Sequence, residues 1–97
     1  MTVEEFQRSL SADGPPAILT PALTALWWDA KGDWERAHSS AQDDEGSEGA
    51  WVHAYLHRKE GEQWNADYWY AKAGRKFHRE ELADEWAALA EGLLPAS

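Results

Sequence analysis

The chain has 97 residues, with 18 Asp plus Glu against nine Lys plus Arg for a formal charge of −9, and it carries seven Trp, three Tyr, two Phe and no Cys. So acidic a surface repels phosphate backbones and anionic headgroups, which sets nucleic acid and membranes aside as partners. The lack of Cys removes disulfides and thiolate chemistry and suits a reducing compartment, so the expected location is cytoplasmic.

A chain this short buries only about 60–68% of its unfolded surface, so a dozen aromatic residues must supply much of the core. The expectation is one helical domain spanning 1–97. No run of 18 apolar residues exists, and Met1–Leu10 lacks the basic-then-apolar layout of a signal peptide.

In chain order, Thr2-Val3-Glu4-Glu5 reads as a capping box, and Val3, Phe6 and Leu10 mark one face of a short helix. Asp13-Gly14-Pro15-Pro16 breaks it. Thr20-Pro21 starts the next helix, with the stripe Leu23, Leu26, Trp27 and Ala30, and Gly32 ends it. Asp33 caps a further helix whose inner face is Trp34, Ala37 and Ala41. The acidic stretch Asp43–Gly49 is a solvated turn between two hairpins.

The second hairpin is expected over about 47–73, turning at Gly61, with Ala66, Trp69, Tyr70 and Ala73 on the inner face of its second helix. A final helix over roughly 79–94 carries Leu82, Trp86, Leu89, Ala90 and Leu93 and stops before Pro95. Nothing alternates with period two, so no strand is expected.

Superposing Gly32 on Gly61 reveals an internal repeat with an offset of 29 residues: Ala25 falls on Ala54, Asp33 on Glu62 and Ala37 on Ala66. Small residues at these spacings let paired helices approach closely. The stretch Gly61–Ala73, with glycine, acid, alanine and then aromatics, resembles the second helix of a tetratricopeptide or Sel1-type repeat. Two hairpins are fewer than the roughly three units that a free-standing solenoid needs. The N- and C-terminal helices, or a second copy of the chain, are therefore expected to close the bundle. Trp28-Asp29-Ala30-Lys31-Gly32-Asp33-Trp34 with Ala37-His38, and Ala54-Tyr55-Leu56-His57-Arg58 with Asn65-Ala66 and Tyr68-Trp69-Tyr70, resemble the signature of a small family of uncharacterised proteins. That resemblance covers about half of the chain and implies a fold but no activity.

Three groups of residues stand out for function. His53 and His57 lie one helical turn apart with Glu60 at i+7, and neutral imidazoles so spaced can bind Zn²⁺, with His38 from the other hairpin as a fourth ligand. The plainer reading has one of these histidines packed between helices. The second group is Trp51, Tyr55 and Arg58, which the tetratricopeptide resemblance places on a concave peptide-binding face, with Asp29 at the matching place in the first hairpin. Its plainer reading is aromatic core, with Arg58 in a structural ion pair to Glu60, Asp67 or Asp29. The third group is Asn65, Tyr68 and Trp28. Adjacent helical residues point about 100° apart, so Trp27 and Trp28 cannot share one stripe.

No nucleophile with a distinctive base partner and no glycine-rich phosphate loop is present, so an enzyme is not expected and no cofactor is implied. The leading expectation is a non-catalytic protein- or peptide-interaction module, whose partner is a peptide, another protein or its own copy. The alternative is a metal- or small-ligand-binding protein using His53, His57 and Glu60.

Overall fold

The computed structural model describes residues 1–75 and 81–94. Among them the chain forms α1 (Val3–Ser9), α2 (Pro21–Ala30), α3 (Trp34–Gln42), α4 (Ser47–Lys59), α5 (Gln63–Ala73) and α6 (Leu82–Leu93), with no strand. The protein is all-α: α2 with α3 and α4 with α5 form two antiparallel hairpins, α3 packs on α4, and α6 lies across α2 and α4. Both the Arg79 start expected for the last helix and Pro95 beyond it lie outside the described residues; within them, α6 begins at Leu82. None of these helices is long and apolar enough to cross a membrane.

The helix starts follow their capping residues. Thr2 and Glu5 form the reciprocal box on α1, Thr20 accepts from Leu23 N–H ahead of Pro21, and Asp33 accepts from Arg36 N–H. The two hairpin turns are built identically. Gly32 N–H donates to Asp29 O and Asp33 N–H to Trp28 O; Gly61 N–H donates to Arg58 O and Glu62 N–H to His57 O, all at 3.0 Å. Both glycines sit at φ +81°, where a Cβ is strained, and this is the Schellman ending that repeats with the sequence.

The repeat alanines Ala25, Ala37, Ala54 and Ala66 are fully buried between the paired helices, so the spacing found in the sequence is a packing register. Ala30, expected in the α2 stripe, is exposed instead, and Ala22 and Ala25 take the inner positions. α2 and α4 are central and bury residues on several sides, so each shows a broad apolar surface rather than one stripe.

The terminal helices close the core. Phe6 of α1 stacks on Trp86 of α6 at 5.7 Å, Trp27 Nε1 donates to Ser9 Oγ, and Trp86 Nε1 donates to Leu26 O. Glu85 of α6 is fully buried; it accepts from Arg58 Nη1 at 2.7 Å and from the Tyr70 hydroxyl. Beside this pair on α4, Asp29 accepts from the Tyr55 hydroxyl at 3.0 Å and from Lys59 Nζ at 2.8 Å.

Candidate metal centre

α3 and α4 face each other across the seam between the hairpins, and their facing sides bring His38, His53 and His57 together. One ring nitrogen from each lies within 4.8 Å of the others, and His38 Nε2 and His53 Nε2 are 2.9 Å apart. His53 and His57 share a face because they are one turn apart on α4, and their rings stack at 4.8 Å and 18°. His38 comes edge-on to both, from the second turn of α3.

Aromatic rings hold the trio in place. Trp69 of α5 lies flat on His53, with centroids 3.8 Å apart and planes at 11°. Trp34 stacks on His38 at 4.7 Å, and its Nε1 donates to Leu56 O, which pins it between α3 and α4. His53 and His57 are buried and His38 is half-buried.

The carboxylate at this cluster is Glu62, not Glu60. Glu60 is the exposed C-cap of α4, whereas the chain reverses at Gly61 and brings Glu62 back over the last turn, where Oε1 lies 3.1 Å from His57 Nδ1. A Schellman ending places the residue after its glycine over the residue five positions earlier, and here that pair is Glu62 and His57. The equivalent acid in the first hairpin, Asp33, caps its helix; Glu62 makes no cap bond. Asn65 Nδ2 is 3.4 Å from the same His57 Nδ1.

The site's electrostatics favour the ligating form of imidazole. Burial, followed by the neighbouring His38 and His57 rings and Lys72, depresses His53 to about 4. Burial also lowers His38, with His57 adding to the effect and Glu62 opposing it. At pH 7 both rings are neutral, and their 2.9 Å contact lets them share one proton. In the tautomer that donates Nδ1–H to Glu62, His57 presents Nε2 as its ligating nitrogen. A histidine held this way by a carboxylate is the usual outer partner arrangement at metal sites.

The distances are near those of coordination. Two nitrogens on tetrahedral Zn²⁺ at 2.0–2.1 Å stand about 3.3 Å apart, so the widest separation in the trio must close by about 1.5 Å.

The other expected residues are placed differently. Tyr55, Asp29 and Arg58 turn inward to the pairs described above, and Trp51 is buried beneath the Arg75 guanidinium, 3.8 Å from its ring centroid. Trp51 Nε1 is buried with no hydrogen-bond partner among the described residues. Trp28 is half-buried, edge-on to Trp27 and covered by Arg36 at 4.6 Å. Tyr68 is exposed on α5, and so is Trp64 one turn before it. Sequence reasoning missed Glu62, Trp34 and Trp69 at the cluster; the turn geometry at Gly61 was the available signal for Glu62. The aromatic lids depend on how the hairpins pack.

Fold and site together define a small protein of paired helical hairpins with a three-histidine cluster at the seam. Compared with family models, curated proteins and solved structures, the chain matches none.

Proposed function

We propose that the chain is a metal-binding helical module whose site is His38, His53 and His57, with Glu62 orienting His57. The observation that carries this reading is the convergence of three ring nitrogens from two hairpins within 4.8 Å. Nitrogen donors with no thiolate suit Zn²⁺ and its borderline neighbours such as Ni²⁺, rather than Ca²⁺ or Mg²⁺, which take oxygen ligands. An ion held here ties α3 to α4 and so links the two hairpins.

The test is thermal unfolding of EDTA-stripped protein with and without Zn²⁺. Metal at 100 times its dissociation constant adds about 2.7 kcal/mol, a rise in melting temperature on the order of 10–20 °C for a domain of this size. His53→Gln abolishes that rise. An unchanged melting temperature with Zn²⁺ and with Ni²⁺ rejects the reading.

A second reading, a non-catalytic protein- or peptide-interaction module, is supported by Trp64 and Tyr68, which are 76% and 55% exposed one turn apart on α5. Large aromatics left in solvent by a domain that buries most of its others are typical contact residues. Self-association is the first partner to test. If this face carries it, Trp64→Ala changes the unfolding free energy by no more than about 0.5 kcal/mol and shifts the protein to monomer in sedimentation.

A further inference from the structure

The trio supplies three neutral ligands, while a tetrahedral ion takes four. Of the three histidines, His53 lines a groove of about 510 Å³ walled by the end of α3, the Asp44–Gly46 turn, the first turn of α4, and Trp69 and Lys72 of α5. A volume of that size admits a small organic molecule.

We infer, on the strength of the metal-binding reading, that the centre keeps one coordination position open towards this groove and takes a small carboxylate there. The charge of the proposed ion and two observations converge on an anion. Neutral imidazoles leave the full double charge of the ion in place. Lys72, on the groove wall, forms no ion pair among the described residues, and its ammonium lies over the Trp69 and Tyr68 rings at 5.1 and 5.6 Å. The start of α4 contributes Gly46 and Ser47 to the wall, and Gly46 as N-cap has no side chain to occupy the first-turn N–H groups.

The acids at the rim do not block this arrangement. Asp44 Oδ1 accepts from Gly46 N–H at 2.8 Å, which ties it into the turn, and Glu45 is exposed. The competing fourth ligand is Glu62, which sits across the cluster on the His57 side.

The experiment uses the full chain, stripped with EDTA, loaded with Co²⁺ and titrated with acetate while the visible spectrum is recorded. The expected result is that cobalt bands form on loading and acetate shifts them saturably. Lys72→Met then raises the acetate needed by up to about fivefold, the worth of one exposed ion pair. Bands that form but do not respond to acetate overturn the open position while leaving the metal site standing. If Glu62→Gln then makes them respond, Glu62 is the fourth ligand. If no cobalt bands form, the metal-binding reading itself fails.

Discussion

Arg58 on α4 places Nη1 2.7 Å from Oε1 of Glu85 on α6, and the Glu85 side chain has no exposure to solvent. The pair joins the second hairpin to the closing helix, and the Tyr70 hydroxyl from α5 fills the other carboxylate oxygen. Burial and then Glu85 push the Tyr70 hydroxyl well above its ordinary range, so it stays protonated and donates to Glu85.

Removing one partner of a buried ion pair leaves the other charge uncompensated and costs about 3–5 kcal/mol. Arg58→Ala is therefore expected to lower stability on that scale in urea unfolding, with a smaller loss for Glu85→Gln. The double variant Arg58→Met/Glu85→Leu recovers only part of it, because desolvation of two charges is avoided but the buried Tyr70 hydroxyl loses its acceptor. A loss under 1 kcal/mol for Arg58→Ala would show that the pair is not structural.

His53 gives the metal-free protein a pH dependence. Its folded value is depressed from 6.5 to about 4, by burial first and then by His38 from α3, His57 on α4 and Lys72 from α5. Between those values the unfolded chain binds more protons than the folded one, so stability rises with pH. The contribution is complete above about pH 6.5 and is lost as pH falls towards 4, on the order of 3 kcal/mol in total. Urea midpoints at pH 4.5 and 7.5 in EDTA should differ accordingly for the wild type and less for His53→Gln. Equal slopes in the two proteins would contradict this account.

In the proposed metal site Glu62 acts through His57, whose Nδ1 lies 3.1 Å from its Oε1. Replacing a carboxylate that orients a ligating histidine costs about 10–100-fold in affinity. Glu62→Gln should weaken Zn²⁺ binding within that range in competition with a chelating dye. Glu60→Gln, at an exposed cap, should leave it unchanged.

The glycines separate two kinds of constraint. At Gly61, with φ +81° and nothing within 4 Å of an added Cβ, Gly61→Ala meets backbone strain alone, about 1–2 kcal/mol. At Gly49 an added Cβ would lie 2.2 Å from Asp44 O, so Gly49→Ala must displace the turn that walls the groove. Melting curves should show the larger loss at Gly49.

Much of the fold was legible in the order of residues. Capping at Thr2, Thr20 and Asp33 and the turns at Gly32 and Gly61 are local, since each involves residues within about five positions of one another. The repeat alanines were readable for a related reason: close helix approach leaves room for little more than a methyl group. The site was legible in part. His53 and His57 share a face by helical period alone, and His38 was available from the matching hairpin.

Other features were decided only in three dimensions. Glu85 looked like one of many surface acids until α6 crossed α4 and set it against Arg58, 27 positions away in the chain. Trp69 covers His53 because α5 folds back on α4, and Trp51, Tyr55 and Asp29 are internal because two hairpins and two end helices share one core. Local hydrogen bonding and chain geometry depend on near neighbours and can be read in sequence. Burial and pairing of charges depend on which faces meet, and in this protein the packing of α6 and of the hairpin seam settles both.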